Sequence, residues 1–465
     1  MNNQASKTNI DLFENLPVPK AVRIMAVPTI LGQLIVLFYS MADTFFLGQT
    51  NNPQMVAAAS LILPIFNITL SLAGLAGVGG GALISRLLGI KDFDEARKVS
   101  SFSIYFGILI SGLFSILVFL FIKPLMFALG ADSETFAFAK DYAIWVIVFG
   151  GIPTVLSNVL SSLLRSVGES KKAGFGVMMG GIINIALDPL FMFVILPQGN
   201  EIIGAGIATC ISNIISCIYF IISIIKLGPD SVLKLFSPAV LPCAKSIKSI
   251  FNVGIPSSLA TFLFDVDYMV LDKLMSAYGN FALAAVGIVL KVERLPLNIG
   301  IGLCQGMVPI VAYNYSSKNY LRMKKVKNFS KNIGLLCAGI SILLYEIFAK
   351  QIIGVFIDNQ DTISYGIKFL RIRCLATPLM FLSFFHVHLF NGFGEGKKAL
   401  FLGVMRWAVF NIPMLFILNY FFGTYGLVWA QSAADIFTVI LSFIVYKNFE
   451  KKGLGTNKKI SEQTE

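Results

Sequence analysis

Long apolar stretches separated by short polar segments dominate the chain. A helix needs about 20 residues to cross roughly 30 Å of hydrocarbon, and twelve stretches are long enough. They are 24–47, 55–84, 99–122, 142–164, 174–196, 202–226, 247–275, 281–312, 329–356, 363–390, 399–422 and 424–446. The strands of a transmembrane barrel would be short and alternating, which these are not. The pattern predicts an all-α membrane protein with twelve transmembrane helices.

Composition supports this prediction and excludes other classes. Of 465 residues, 56% are hydrophobic and 13% are charged, with a mean hydropathy of +0.78, whereas soluble domains carry roughly a quarter charged residues. Residues 1–20 lack an apolar core, so the first span itself, rather than a cleaved signal peptide, is expected to direct insertion. The six cysteines have no paired spacing, so neither a disulfide framework nor a zinc site is predicted.

The net charge of +12 is distributed asymmetrically. Loops after even-numbered spans are basic, and the opposite loops hold few bases. The basic loops contain Arg86, Lys91, Arg97, Lys98, Arg165, Lys171, Lys172, Lys234, Lys318, Arg322, Lys324, Lys325, Lys397 and Lys398. This positive-inside pattern predicts a multi-pass protein of the cell (inner) membrane with both termini in the cytoplasm. The distribution of basic residues therefore indicates the orientation of the spans in the membrane, and no nucleic-acid partner is expected.

The chain repeats itself at a spacing of about 227 residues. "RSVGESKKAG" from Arg165 is echoed by "NGFGEGKKAL" from Asn391, and the apolar segment from Met55 by that from Ala282. Each copy has six spans, so the two bundles should be related by a pseudo-two-fold axis along the membrane normal, with a cleft between them. The predicted units are an N-terminal segment 1–20, an N-lobe 21–227, a linker 228–245, a C-lobe 246–447 and a tail 448–465.

Isolated acids within the spans are the candidate functional residues. A carboxylate there costs at least about 2.5–3.5 kcal/mol on insertion scales, so it is expected to bind something. Asn184 and Asp188 are one turn apart in the fifth span, and Asp43 lies in the first, one turn after Tyr39. Thr209 in the sixth span adds a hydroxyl. Such oxygens suit Na⁺, and two close carboxylates could equally share a proton.

Further polar residues support this interpretation less directly. Asn158 in the fourth span could add an amide, although polar residues also join membrane helices without further function. In the second half, Asp265 is a candidate contact for a positively charged substrate. Lys291, Glu293 and Arg294 are either a local salt network or substrate contacts.

Other chemistries find little support in the chain. His386 and His388 are two residues apart, which on a helix turns them away from a shared metal. The glycine-rich run at Gly77 is not followed by Gly-Lys-Ser/Thr, so it does not form a phosphate loop. No nucleophile–base pair is apparent, and an enzymatic role is not expected. No cofactor is predicted beyond Na⁺ or H⁺.

Several motifs together resemble the multidrug and toxic compound extrusion (MATE) family, prokaryotic type. They are "YSMADTFFLG" from Tyr39, "RSVGESKKAG" from Arg165, "NIALDPLFMF" from Asn184, "GAGIAT" from Gly204, "QGMVPIVAYNYSSKNYLRMKK" from Gln305 and "NGFGEGKKAL" from Asn391. The resemblance runs from about residue 20 to 446. It implies two six-helix bundles and outward antiport of organic cations against Na⁺ or H⁺, a function linked to antibiotic resistance.

The resemblance also assigns roles to residues. Asp43, Asn184, Asp188 and Thr209 match the family's coupling site, with Asn158 as a weaker match. Asp265 stands where a Glu is expected. Independently of the resemblance, Tyr39, Lys291 and Gln305 are further candidate substrate contacts. The tenth span lacks the acid that some members carry, and the region matching Asn184 reads Phe410, Asn411, Met414, so the coupling site is expected in the first half alone. A monomer in membrane lipid is expected. The alternative is a lipid-linked saccharide flippase of similar architecture.

Overall fold

The computed structural model describes residues 10–235 and 241–451, and these residues form helices and their connections. In the first half the membrane-spanning helices are α1 (Val18–Gln49), α2 (Pro53–Gly89), α3 (Phe93–Leu120), α4 (Thr135–Phe149 and Gly151–Ser166), α5 (Ser170–Ile195) and α6 (Glu201–Ile225). In the second half they are α7 (Ala244–Ser276), α8 (Asn280–Ser316), α9 (Tyr320–Gly354) and α10 (Gln360–Cys374 and Thr377–Phe393), followed by a helical stretch Gly396–Phe449.

The last helical stretch is two spans joined by a tight turn. A straight helix of 54 residues would be about 80 Å long, far longer than the membrane is thick. The stretch reverses at Gly423, where φ is 58° and ψ is −136°, a conformation open to glycine but strained for other residues. Gly426 consequently packs against the backbone of Leu418. The turn separates α11 (396–422) from α12 (424–449), so the described residues contain the twelve predicted spans.

The two bent spans have local causes. The segments of α4 meet at 44° and those of α10 at 48°. The bend in α4 falls at Gly150, after a π-helical turn over Ile144–Phe149 and shortly before Pro153. The bend in α10 falls where Pro378 sits in the first turn of the second segment. Proline lacks the amide hydrogen that would continue the ladder, so each helix redirects there.

The predicted repeat is visible in how the two bundles meet. The seam between them is formed by α1 against α8 and by α2 against α7. Gly79 of α2 lies on the backbone of Ile250 in α7, and Gly306 of α8 lies on the backbone of Ala26 in α1. The two glycines are 227 positions apart, the spacing of the sequence repeat. A side chain at either would push the helices apart, so the duplicated glycines permit the close pseudo-symmetric crossing.

The hydrophobic core is continuous at one end of the molecule and divided at the other. At the end that carries the basic loops, hereafter the basic end, residues of both bundles form one core, for example Met25 and Leu163 with Met307 and Phe390. At the opposite end each bundle has a separate core. The bundles are therefore packed together at the basic end and separated by a cleft at the other.

Polar contacts close the basic end further. The Ser316 hydroxyl donates to the Arg86 carbonyl at 2.7 Å, and the Arg86 guanidinium donates to Ser249 at 3.1 Å. Residues 10–16, which we call the N-terminal strap, lie against the connection between α8 and α9. Arg322 donates to the carbonyls of Phe13 and Leu16, both at 2.6 Å. The strap thus ties the start of α1 to the second bundle.

The predicted unit boundaries differ from the helix ends by a few residues. Helix α1 begins at Val18, inside the predicted N-terminal segment, of which residues 1–9 lie outside the described part of the chain. In the predicted linker, residues 228–235 and 241–245 are described, and α7 begins at Ala244. Helix α12 extends to Phe449, and residues 452–465 of the predicted tail also lie outside the described ranges.

Candidate functional site

Close packing of α1 on α5 builds the first-bundle site. Gly181 of α5 has no side chain where Ile35 and Tyr39 of α1 approach. A Cβ there would lie 2.5 Å from Ile35 Cγ2 and 3.2 Å from Tyr39 Cδ1. Because the helices meet at this depth, residues one or two turns further along each of them face the same interior. Those residues include Asp43 on α1, together with Asn184 and Asp188 on α5.

Asn184 connects the polar residues of this site. Asn184 is 2% exposed and Asp188 is fully buried. The Asn184 amide donates to the Thr209 hydroxyl at 3.3 Å and to an Asp188 carboxylate oxygen at 3.5 Å, both long for such bonds. Asp43 and Asp188 lie within electrostatic range of each other. The structure therefore joins Asn184, Asp188 and Thr209 by hydrogen bonds and places Asp43 near them without a hydrogen bond to any of the three.

The cluster is rich in acceptors and poor in donors. Within the described residues, Asp43 Oδ1, Asn184 Oδ1 and Asp188 Oδ2 are buried and accept no hydrogen bond. Leaving such an atom without a partner costs roughly 1–3 kcal/mol. Carboxylate, amide and hydroxyl oxygens are the ligand set of a hard cation, and a proton on either acid would convert an acceptor into a donor. The residues present therefore fit Na⁺ or H⁺.

Asn158 is not hydrogen-bonded to the cluster although it was predicted to belong to it, whereas Tyr142 lies near the cluster although it was not predicted. Asn158 is exposed, and its amide donates at 2.8 Å to the Thr154 carbonyl of its own helix, so no described hydrogen bond joins it to the cluster. Tyr142 was not predicted, yet it is buried and within electrostatic range of Asp43, Asp188 and Tyr39. It lies just before the π-helical turn of α4. A single tyrosine in an apolar span does not by itself indicate that the residue lies beside buried acids.

The predicted substrate contacts lie along the seam and the cleft. Asp265 lies close to Asn67 of α2 and to Arg294. Gln305 accepts from the Gln33 amide of α1 at 3.1 Å. Lys291 is exposed and lines a cavity of about 700 Å³. Asp265 and Gln305 thus lie at the seam between the bundles, whereas Lys291 faces the cavity.

The predicted local network of Lys291, Glu293 and Arg294 is wrong. Glu293 instead pairs with Arg373 of α10 at 2.7 Å, with side chains 4% and 2% exposed. Residues two apart on a helix point about 200° apart, so Glu293 faces the bundle interior while Lys291 faces the cleft. Arg294 lies over the ring of Tyr268, 5.7 Å from its centroid.

A buried polar cluster fills the second bundle and was not predicted. Gln431 bridges the Arg373–Glu293 pair, donating to Glu293 at 3.3 Å and accepting from Arg373. Arg406 pairs with Asp435 at 2.8 Å. The charged residues within the spans could have indicated this cluster in the sequence, since membrane-buried charges rarely lack partners.

Asn411 extends this second-bundle cluster to α7. It corresponds to Asn184 in the repeat, and its amide donates to Asp267 at 2.7 Å. The repeat thus retains an amide and a nearby acid in both bundles. The difference is that arginines accompany the acids of the second bundle, so most of that charge is already neutralised.

The cleft is bordered by one face of α1. Met41, Thr44, Phe45 and Gly48 line the cavity and recur at the three- and four-residue spacing of a single helix face. Asp43, about 200° around the helix from Met41, faces the first bundle instead. One helix therefore carries the wall of the cleft on one side and an acid of the buried cluster on the other.

Twelve spans in two pseudo-symmetric bundles, with a cleft between them and acids buried beside it, define a polytopic membrane protein of the two-bundle carrier type. A family model agrees with this architecture. The MatE model matches residues 28–190 and 256–417, once in each bundle. The chain belongs to the MatE family, the multidrug and toxic compound extrusion proteins.

Relatives and solved structures agree with this membership. The chain is 32% identical over 436 residues to the multidrug export protein MepA of Staphylococcus aureus (strain MSSA476), covering 93% of this chain and 94% of that protein. MepA of Staphylococcus saprophyticus subsp. saprophyticus is 29% identical over 434 residues, with the same coverage. The outward-facing conformation of a multidrug resistance MATE family transporter has a TM-score of 0.88 at 22% identity, covering 94% of this chain and 96% of that one. This last likeness shows the fold.

Proposed function

We propose that the protein is a secondary active exporter of cationic amphiphilic compounds, driven by antiport against Na⁺ or H⁺. The observation that carries the proposal is the position of α1 between two features. Asp43 faces the buried cluster of the first bundle, while Met41, Thr44 and Phe45 on the other side line the cleft. A shift of this helix on ion binding would reshape the cargo site directly. The names of the MepA relatives support multidrug export.

The coupling residues are proposed to act by binding or releasing positive charge. Asp43, Asn184, Asp188 and Thr209 would hold Na⁺ through their oxygens, or the two acids would take up a proton. Three unsatisfied buried acceptors at roughly 1–3 kcal/mol each are comparable to the about 5.5 kcal/mol that moves a two-state equilibrium from 1:99 to 99:1. Ion occupancy of this cluster is therefore strong enough to select one arrangement of α1.

Alternating access requires that ion and cargo favour opposite states. The structure has the packed basic end and the divided opposite end described above, so its cleft faces away from the basic loops. The positive-inside pattern supports placing the basic end in the cytoplasm, which makes this an outward-open state of a plasma-membrane protein. After cargo is released to the outside, the carrier returns with the coupling ion bound, and this step requires the α1–α8 and α2–α7 seams to open at the basic end.

The proposal is tested by dye export from proteoliposomes with the Na⁺ and pH gradients imposed separately. Wild type should export ethidium under at least one gradient, which also distinguishes the two ions. Asp43→Asn and Asp188→Asn should abolish export while preserving the elution profile of the purified protein. Asp94→Asn is the matched control, since that acid is 87% exposed at the basic end.

Two results would contradict the proposal. Wild-type export rates in both Asp43→Asn and Asp188→Asn would show that the coupling site is misassigned. Failure to export any cationic dye, together with a cell-wall defect on deletion, would favour the lipid-linked saccharide flippase. Orientation is checked in a cysteine-free background, where a cysteine at Asp132 should react with an impermeant maleimide from outside and one at Asp94 should not.

A further inference from the structure

A row of lysines follows one side of α9 at the basic end. Lys324, Lys327 and Lys331 recur at the three- and four-residue spacing of a single helix face. Lys327 and Lys331 are half-buried. Lys331 lies 11 residues after the start of α9 at Tyr320, about 16 Å along the helix axis, and falls within the predicted ninth span. The row therefore carries positive charge from the loop into the membrane.

These lysines border a groove between α9 and α12. The second segment of α10 packs against both helices and forms the floor of the groove. The Lys327 amine donates to the Tyr446 hydroxyl of α12 at 3.0 Å and lies 4.4 Å from the centroid of that ring. Lys324 pairs with Glu450, just beyond α12, at 2.6 Å. Side chains from the α12 side thus hold the lysine row at the groove.

The charges in this groove do not balance. Lys327 is within electrostatic range of Lys324 and Lys331, and Glu450 already pairs with Lys324. Within residues 10–235 and 241–451, no carboxylate oxygen lies within 4.0 Å of the amine of Lys327 or Lys331. Charged side chains at this depth are costly unless water or a counter-charge accompanies them. An anion between the two lysines would supply that counter-charge.

The equivalent face of the first bundle is covered by the chain itself. Ser100 of α3 precedes Lys327 by 227 positions, the spacing of the repeat. Its hydroxyl accepts from the Lys234 backbone amide at 3.3 Å, and the Ser101 hydroxyl donates to the Lys234 carbonyl at 3.1 Å. The neighbouring Leu233 is 2% exposed, so the linker packs firmly on α3. The second bundle has a lysine at the position where the first bundle holds its linker with a serine.

We infer that the groove between α9 and α12 binds the phosphate of an anionic phospholipid, with Lys327 and Lys331 donating to its oxygens. Lysine binds phosphate as a point charge, and basic pockets between spans on the cytoplasmic side suit anionic headgroups. A lipid fits better than a soluble anion because the groove also offers apolar surface. Phe443 of α12 is 38% exposed and packs against His386 of the floor, with ring centroids 5.0 Å apart. An acyl chain would lie on this ring.

Native mass spectrometry of the purified full-length protein tests this inference without reference to export. Phosphatidylglycerol and zwitterionic phosphatidylcholine with the same acyl chains are added at equal concentrations, and the bound fractions give the relative affinity. We expect wild type to prefer phosphatidylglycerol, and Lys327→Gln combined with Lys331→Gln to reduce this preference at least tenfold. Lys331→Gln alone should reduce it at least threefold, and it leaves the contacts between Lys327 and Tyr446 in place. Arginine at both positions should retain the preference.

The matched control is Lys325→Gln combined with Lys171→Gln, which removes two exposed lysines of the same end. Lys325 points about 200° away from Lys327, so the preference should not change. An equal loss in the control and in the groove variant, or no loss in the groove variant, would overturn the inference. Lysine-dependent thermal stabilisation by inorganic phosphate as large as that by phosphatidylglycerol would assign the lysines to a soluble anion and also overturn it.

Discussion

Two arginines two residues apart on α10 should differ greatly in their importance for stability. Arg373 pairs with Glu293 at 2.7 Å, with side chains 2% and 4% exposed. Arg371 pairs with Glu346 at 3.4 Å, with side chains 51% and 39% exposed. The two pairs have the same charges and share a helix, so their difference isolates the effect of burial.

Removing Arg373 leaves a buried acid without its cation. Breaking a buried ion pair by removing one partner costs about 3–5 kcal/mol. Gln431 would also lose the guanidinium group that donates a hydrogen bond to its side-chain oxygen. An exposed pair contributes about 0–1 kcal/mol. We therefore expect Arg373→Met to lower the free energy of unfolding by several kcal/mol and Arg371→Met to change it little.

The comparison is made by denaturant titration of the purified proteins in one detergent. Glu293→Gln combined with Arg373→Met provides a second test, because it removes the unpaired charge and should recover part of the loss. Equal effects of Arg373→Met and Arg371→Met would refute the conclusion that the buried cluster joins α8, α10 and α12. So would a double variant no more stable than Arg373→Met alone.

Three further predictions concern the ends and the seam of the molecule. Arg322→Ala should weaken the N-terminal strap and speed maleimide labelling of a cysteine placed at the closed basic end, whereas the exposed Lys325→Ala should not. Gly306→Ala should destabilise the α1–α8 seam by about 1–3 kcal/mol, measured by thermal unfolding. Gly339→Ala, inside α9 where a Cβ meets nothing within 4 Å, should not destabilise the protein, because alanine favours a helix interior over glycine. The backbone amide and the hydroxyl of Thr135 donate hydrogen bonds to Asp132 and lower the pKa of its carboxyl group. The carboxylate therefore stabilises the fold fully at pH values above its ordinary pKa, and this stabilisation is lost as the pH falls through its lowered pKa. The difference in melting temperature between wild type and Asp132→Asn should therefore shrink from neutral pH toward about pH 3, and a constant difference would contradict this reasoning.

The spans and the repeat could be predicted because their signals are local or periodic. Each span is a run of apolar residues, and the duplicated motifs fix the relation of the two bundles. The turn at Gly423 illustrates this well: two predicted spans, 399–422 and 424–446, meet at the residue where the helix reverses. Asn184 and Asp188 could be placed on one helix face by spacing, and the resemblance singled out Thr209 in the adjoining span.

Partners between distant helices could not be predicted in the same way. One interpretation of the sequence pairs Glu293 with neighbours in its own helix, yet its partner Arg373 lies 80 residues later. Spacing reports which residues share a helix face but not which helix packs opposite that face. The same reason explains why Asn158 was grouped with the cluster and Tyr142 was not.

The duplicated scaffold shows how one arrangement can serve two purposes. Asn184 and Asn411 occupy equivalent positions, and each donates an amide hydrogen to an acid. Buried oxygens without a partner occur in both bundles within the described residues, at Asn184 and Asp188 in the first and at Asn411 and Asp267 in the second. The described acids of the first-bundle site, however, form no ion pair with an arginine. In the second bundle arginines already neutralise Glu293 and Asp435. A site that must bind and release a cation has to leave its acids without permanent counter-charges, whereas helices that must stay together benefit from fixed ones. Among residues 10–235 and 241–451, no basic residue pairs with Asp43 or Asp188, and this, more than the presence of those acids, makes the first bundle the candidate for ion coupling.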